Sequence, residues 1–185
     1  MDVCEECPMR LFNTKHYNLQ GVGNPYYGKC IVVPNVDYNA YKKGDMGFSK
    51  QVEIIHDCIS SIGEVESTYI LPLIRCNKDI ACEINKDIQN RCIKHFAKDV
   101  KKYDFKYILL LGEVSSIFFD CDLSINDNLN NIFISRKNKR IYGVNYSPLI
   151  KYKDDEKFEL FKTNILKWFK SINEYNFSQY NSFII

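Results

Sequence analysis

The chain has 185 residues, 45% of them hydrophobic and 26% charged, with 25 basic against 23 acidic side chains and a formal net charge of +2. That length suits one domain with a core on both faces of a sheet, and the balance excludes disordered, fibrous and wholesale polycationic classes, so any nucleic-acid site must be a local basic face. The start, Met1-Asp2-Val3-Cys4-Glu5-Glu6-Cys7, has neither a basic n-region nor an apolar h-region, and no run approaches the roughly 20 apolar residues of a membrane span; together these predict an intracellular, soluble protein with no membrane partner.

Residues 4–23 carry turn and polar residues with no sustained period, and residues 1–28 read as an irregular lead-in. Residues 29–33, Lys-Cys-Ile-Val-Val, form a short β-branched stretch ended by Pro34, the pattern of a buried strand, followed by a loop over 35–47. Over 49–62 the apolar positions Val52, Ile54, Ile55, Cys58, Ile59 and Ile62 recur at helical spacing. A second strand is predicted at 68–74, a loop through residue 80, a helix over about 82–103, and a third strand, Tyr107-Ile108-Leu109-Leu110-Leu111, that closes at Gly112 before a short helix over 113–119. After a loop at 124–130, residues 131–135 and 141–144 flank the turn Arg136-Lys137-Asn138-Lys139-Arg140, as a hairpin or as a strand reached after a turn. A last helix over 155–172 carries Phe158, Leu160, Phe161, Ile165, Leu166 and Phe169, and the tail over 173–185 is polar and aromatic. Strands alternating with helices predict βαβ units, a parallel sheet and helices on both faces of one domain spanning 1–185. Ligands of such sheets bind beyond the carboxyl ends of the strands, which directs attention to residues 34–48, the turn after Ile74, 112–115 and 145–150.

Eight cysteines are many for a reducing compartment, where Cys-x-x-Cys is more often a metal or redox element than a disulfide. Cys4 and Cys7 form such a pair ahead of Pro8, and fifteen residues joining a strand end to a helix separate Cys76 from Cys92. Four thiolates suit a cubane iron-sulfur cluster or tetrahedral zinc, and spacing leaves both open. Cys30, Cys58 and Cys121 read as small buried hydrophobes, and Cys82 has no assignment.

In Cys4-Glu5-Glu6-Cys7-Pro8-Met9, then Gly21-Val22-Gly23-Asn24, the strand at 29–33, Leu73-Ile74-Arg75-Cys76, Cys92 and the strand closing at Gly112, the chain resembles the iron-sulfur uracil-DNA glycosylases of the family-four type. The likeness covers about residues 3–119. It implies a three-layer α/β/α sandwich with a central, mostly parallel four-stranded sheet. It also implies a structural 4Fe-4S cluster on Cys4, Cys7, Cys76 and Cys92, with zinc as the alternative. Residues 1–28 would then be the cluster-binding lead-in.

A glycosylase extrudes a nucleotide, holds its base in a pocket and stabilises charge as the glycosidic bond breaks. In the family, a Gly-Glu-(Ala/Gly)-Pro-Gly loop after the first strand supplies a carboxylate. Here Pro34-Asn35-Val36-Asp37-Tyr38 stands in its place. Asn35, at the glutamate position, cannot act as a carboxylate base, and Asp37 is the candidate substitute. The family's His-Pro-Ser element corresponds to Asn145-Tyr146-Ser147-Pro148-Leu149-Ile150, with Asn145 in place of histidine. Related mismatch-specific glycosylases carry asparagine in that element too, and another in the first loop, one residue beyond the place of Asn35. The asparagine that reads uracil in the family lies four residues before the third cysteine, where this chain has Pro72, which weighs against uracil selectivity. Phe48 stands where the family stacks the flipped base, a plain loop or core phenylalanine being the alternative. None of His16, His56 and His95 falls at a catalytic element, and each reads as a surface or partly packed residue.

Arg136, Lys137, Lys139 and Arg140 place four cations in one turn, and Ser147, Leu149, Ile150, Lys151 and Lys153 follow or belong to the second element, whose loop in the family inserts an apolar side chain into DNA. A phosphate-binding ridge beside a wedge would supply salt-dependent affinity and compensate for unstacking; the plain alternative is a solvated turn. Lys86, Arg91, Lys94, Lys98, Lys101 and Lys102, interleaved with Asp87 and Asp99, read as a solvated helix face. The expectation is a DNA-binding, uracil-DNA glycosylase-like iron-sulfur protein with lost or altered base excision. It would act in replication or repair on single-stranded or uracil-containing DNA, with replication or repair proteins as further partners. Two alternatives remain: an active glycosylase on uracil or another modified base, and a metal-stabilised protein-interaction module docking through the aromatic tail.

Overall fold

Four stretches rich in valine, isoleucine and leucine become the buried centre of one sheet. In the computed structural model, which describes residues 4–12, 18–77, 84–120 and 124–185, the order is α1 (Pro8–Phe12), β1 (Val22–Gly23), β2 (Lys29–Val36), α2 (Tyr38–Lys43), α3 (Lys50–Ser60), β3 (Thr68–Asn77), α4 (Lys86–Tyr103), β4 (Tyr107–Leu111), α5 (Val114–Phe119), α6 (Ile125–Asn128), β5 (Asn131–Ile134), β6 (Ile141–Asn145), α7 (Asp155–Asn173) and β7 (Asn181–Ile184). The strands lie in the order β1-β3-β2-β4-β6-β5-β7. The central four, β3, β2, β4 and β6, are mutually parallel; β1 and β5 are antiparallel to their inner neighbours, and β7 is parallel to β5.

Period-two alternation divides the core between the two faces. Ile31 and Val33 of β2, with Leu109 and Leu111 of β4, pack against α3 and α7 through Ile55, Ile59, Phe161, Ile165 and Trp168. Cys30, Val32, Ile108 and Leu110 face the other way, onto Phe96 and Val100 of α4 and Val114 of α5. Gly143 admits Trp168 to the first face: a Cβ there would lie 2.7 Å from the indole ring. The α/β architecture with helices on both faces is as the sequence predicts, but the sheet has seven strands, not four. The added strands are a two-residue segment of the lead-in and the tail, too short or too polar to stand out by pattern, and the 131–134 arm of the hairpin, which the sequence predicts as a strand but which the four-stranded expectation does not count.

Other departures are local. The strand predicted to stop at Pro34 continues to Val36, with a register shift between Asn35 and Val36. The loop at 35–47 contains α2, whose first turn is capped by Asp37 Oδ1, which accepts from Ala40 N–H at 3.0 Å. β3 runs through Pro72 to Asn77; β1 pairs with it only at Tyr69 and Ile70, and a proline is tolerated where one edge of a strand lacks a partner. The lead-in holds the single turn α1, and α4 begins at Lys86 behind an Asn85 cap. Cys82, Cys121 and His16 lie outside the described residues. Among the described residues, no helix is long and apolar enough to cross a membrane.

One buried carboxylate ties three segments together. Glu64 accepts from Lys29 Nζ at 2.7 Å, from Asn173 Nδ2 at 2.7 Å and from the Ser67 hydroxyl, and Lys29 also donates to Asn173 Oδ1 at 2.9 Å. The start of β2 is thus fastened to the end of α7. Burial alone would raise the Glu64 carboxyl, but the hydrogen bonds from Lys29, Ser67 and Asn173 outweigh it and hold it below its usual range. A depressed carboxyl contributes stability that is complete above the ordinary glutamate value and is lost as pH falls through the folded-state value. Glu64→Ala is therefore expected to cost about 2 kcal/mol at neutral pH. In urea titrations between neutral pH and about pH 3, the gap between wild type and variant should shrink in the acid range; a gap constant across that range would refute the assignment.

Candidate functional site

Two groups of residues converge near the carboxyl edge of the parallel strands. The first is a set of thiols. Residues 4–6 form a turn closed by Cys7 N–H donating to Cys4 O at 3.1 Å, and α1 follows, with Arg10 N–H donating to Cys7 O at 2.9 Å. Cys7 packs in one apolar cluster with Met9, with Ile74 and Cys76 from the end of β3, and with Ile88 and Cys92 from α4. Cys4 lies against them, with its Sγ 3.0 Å from His95 Nε2, and none of the four thiols is more than 8% exposed. Burial pushes the Cys92 thiol up to about 12, against a backbone N–H from Arg75 that favours the thiolate, and the nearby Cys76, Cys7 and Cys4 raise it further. Burial likewise raises Cys76, opposed by a backbone N–H from Asn18 and by the Arg75 guanidinium.

Four buried sulfurs, two of them facing backbone N–H groups, fit a thiolate-liganded group in donor chemistry: such a group supplies the positive charge that burial otherwise denies the thiolates, and N–H donors to sulfur tune it. Zinc needs its sulfurs about 2.3 Å from a single centre. Among the described residues, no three His, Cys, Asp or Glu side chains are grouped so as to hold a metal ion. Cys30 is fully buried in the second core and Cys58 is half-buried on α3, as small hydrophobes. Arg75, beside Cys76, forms a buried ion pair with Asp99 of α4. Asp99 therefore faces inward and does not belong to a solvated face. His95, read from sequence as a surface or partly packed residue, is buried against Cys4; its position one helical turn after Cys92 was the signal that would have placed it there.

The second group forms a cleft of about 380 Å³, within the range of small-ligand sites, where β2, β4 and β6 end. Its walls are Pro34, Asn35, Gln51, Glu113, Ser147, Leu149, Ile150 and Lys153. Gly112 makes this convergence possible. It has φ +60°, and a Cβ there would lie 3.0 Å from Ser147 Cβ and 3.5 Å from Pro34 Cγ. Asn35 is half-buried, and its carbonyl accepts from Gln51 Nε2 at 2.8 Å. Gln51 is fully buried, and its Oε1 has no partner among the described residues. Glu113 and Lys153 are exposed at the rim, and Ser147 begins a 3-10 turn without capping it.

The remaining predicted site residues are distributed differently. Asn145 is fully buried: its Nδ2 donates to Phe161 O at 3.0 Å and its Oδ1 accepts from Tyr146 N–H at 2.9 Å, so its amide joins β6 to α7. Asp37 caps α2 through Oδ1, while its Oδ2 accepts from the Ser49 hydroxyl at 2.6 Å. Pro72 is buried within β3 opposite Val33. Phe48, 55% exposed, lines a separate groove of about 620 Å³ with Lys42, Lys43, Lys50, His56, Glu53 and Asp57; Lys43 Nζ lies 5.6 Å from its ring centroid, and partial burial lowers His56. This groove and the cleft share the first turn of α3.

The 136–140 turn connects β5 to the start of β6, where Ile141 pairs with Tyr107 at the start of β4. It therefore sits at the amino edge of the parallel strands, about 16 Å along β6 from Ser147, Leu149 and Lys151. Arg140 is also engaged, donating through Nε to Phe105 O at 2.9 Å. The ridge and the wedge expected to flank one another lie on opposite edges of the sheet. Lys153 lines the cleft and Lys151 is two residues before it, while Lys42, Lys43 and Lys50 line the neighbouring groove; these three went unnoticed because they stand at the end of α2, a helix the sequence reads as loop, and at the start of α3.

No family model matches this chain, and no curated protein matches it in sequence. The fixed amide of Asn145 carries its own prediction. Asn145→Ala removes the acceptor of the buried Tyr146 N–H and the second donor to Phe161 O within α7, and should cost about 2 kcal/mol in urea denaturation. A neutral substitution would show that the amide is free for another task.

Proposed function

We propose that this chain is a DNA-binding protein of the uracil-DNA glycosylase type, stapled by a thiolate-liganded cluster, in which the family's excision chemistry is lost or altered. The observation that carries this reading is the division at the carboxyl edge. A nucleotide-sized cleft is present, while Asp37 and Asn145, the two residues best able to replace the family's acid and histidine, are committed to capping and to packing. Among the described residues, Glu113 is the carboxylate that lines the cleft, and it is exposed at the rim.

DNA binding is supported by the groove beside the cleft, where Lys43 lies against the exposed ring of Phe48 and Lys42 and Lys50 line the walls with Glu53 and Asp57, Lys50 paired with Glu53 at 2.6 Å. Cations that follow a phosphate chain and a ring on which a base can stack are the two components of single-strand binding. Leu149 and Ile150, half-buried at the cleft mouth, are placed to fill the space left by an extruded base. For the thiol centre, the reading is a 4Fe-4S cluster on Cys4, Cys7, Cys76 and Cys92, with zinc as the alternative; its task would be to hold the lead-in against β3 and α4.

Uracil-containing single- and double-stranded DNA, incubated with the protein and then treated with alkali, should remain intact; efficient strand breakage refutes the loss of excision. Binding to plain single-stranded DNA should weaken with salt. Reversing Lys42, Lys43 and Lys50 to glutamate should lower affinity by about tenfold or more and make the salt slope shallower by about 2, whereas reversing Arg136 and Lys137 at the far edge should change neither. Protein purified without oxygen should be brown and contain iron. Cys7→Ser, Cys76→Ser and Cys92→Ser should lose colour and solubility together, and Cys58→Ser should lose neither. A colourless protein containing stoichiometric zinc replaces the cluster with the alternative, and a metal-free soluble protein refutes both.

A further inference from the structure

The two edges of the sheet are finished differently. At one edge the outer strand β1 is two residues long, and the stretch of β3 beyond it carries Pro72 and is met by Leu19 N–H, which donates to Arg75 O at 2.9 Å. Short strands, prolines, charges and covering loops are the usual means of closing a sheet edge against other chains. The opposite edge has none of them. There β7, Asn181-Ser182-Phe183-Ile184, is exposed at every residue, and residues 175–185 carry no charge. Among the described residues, β7 pairs on one side only, with β5.

The bonds to β5 settle which backbone groups remain. Asn181 N–H donates to Asn130 O at 2.8 Å and Ile185 N–H to Ile134 O at 3.0 Å, while Ile185 O accepts from Arg136 N–H at 3.2 Å. Alternate residues of a parallel strand turn both polar groups to the same neighbour, so Asn181, Phe183 and Ile185 serve β5, and Ser182 and Ile184 turn their N–H and C=O outward. Phe183 stacks on Phe133 with centroids 5.7 Å apart, and Phe133 lies 4.6 Å from Phe119. A row of rings thus crosses this face of the sheet and ends at the open edge in a side chain 47% exposed.

We propose that β7 pairs with β7 of a second copy of this chain, antiparallel about a two-fold axis at Phe183, so that two sheets become one. In that register Ser182 and Ile184 of one copy exchange hydrogen bonds with Ile184 and Ser182 of the other, and every outward group of the strand is used. Phe183 then faces its own copy at a non-hydrogen-bonded position, where opposing side chains come closest, and the two rows of rings join. An axis at Ser182 would set Ile184 against Tyr180, outside the strand, and an axis at Ile184 would leave Ser182 beyond the end of the opposing strand. A like copy suits this edge because the uncharged segment meets no like charge in itself, and a two-fold contact needs one surface that complements itself. One short strand per copy buries less than the roughly 1,200 Å² of stable complexes, so the association is weak, with half the chains paired on the order of 100 µM.

Sedimentation of the full chain from about 1 µM to about 1 mM should show the mass rising from that of one chain toward that of two. Ser182→Pro removes an N–H that β5 does not use, and the two-fold axis removes its bond twice. That variant should weaken association at least about tenfold while leaving thermal unfolding at low concentration unchanged. Phe183→Cys, mildly oxidised, should form a disulfide with its own copy, read by mass spectrometry as a linked pair of peptides at 183, and Ser182→Cys, which faces Ile184, should not. The mass of the unaltered chain and the cross-link decide the matter even if Ser182→Pro fails to fold. A single-chain mass at every concentration, association undiminished by Ser182→Pro, or links at 182 with none at 183 overturns the pairing.

Discussion

At Gly112 the end of β4 passes so close to Ser147 that an added Cβ would crowd it at 3.0 Å, and the left-handed backbone there further favours glycine; the carboxyl edge of the sheet is arranged around that contact. A left-handed residue at this point turns the chain directly from strand into α5, and its N–H donates to Asn145 O at 2.9 Å, so the ends of β4 and β6 are fastened to each other. With the third strand end, β2, held alongside by Pro34, the loops beyond have nowhere to go but outward. The cleft is the space they leave. Its place follows from backbone packing, and its polarity from the side chains of Asn35, Glu113, Ser147 and Lys153 that line it.

The same edge shows how buried polar groups were allocated. Asn145 spends both ends of its amide on Phe161 and Tyr146, and Asp37 spends both oxygens on the starts of α2 and α3. Each is thereby occupied by the fold. Gln51 differs in kind: half of its amide is held and half is not.

What the sequence made legible was what repeats or stands in a fixed order. The central strands declared themselves because they are buried on both faces and need continuous runs of valine, isoleucine and leucine, and α3, α4 and α7 because one stripe of each faces the sheet. The edge strands did not: β1 has two residues, and β7 is exposed along its length, so neither needs an apolar pattern. The site was legible where chain order carries it, as in Asn35, Ser147 and Leu149, and illegible where packing decides. Nothing local marks Gln51 as buried, Asp99 as the partner of Arg75 or His95 as the neighbour of Cys4. The 136–140 turn looked like a partner of the 145–150 element because they are near in sequence, yet a five-residue strand between them carries them to opposite edges.

The thiol cluster and the cleft are a single strand apart, and this adjacency gives the cysteines a significance beyond their own neighbourhood. In the register of β2 with β3, Asn35 pairs with Ile74 and Val36 with Asn77, so the segment that carries Cys76 is the segment against which the end of β2 is laid. The register slips at that point, which leaves the end of β2 dependent on what holds β3 in place. It is held by the Arg75–Asp99 ion pair to α4, by Leu19 N–H donating to Arg75 O at 2.9 Å, and by the packing of Cys76 and Ile74 against Cys7, Met9 and Cys92. The carbonyl of Asn35 is in turn the group that orients Gln51. Disturbance among the thiols therefore has a short covalent and hydrogen-bonded route to the Gln51 amide beside the cleft, through β3, β2 and a backbone carbonyl. No charge transfer is needed along it, only a strand end kept in place.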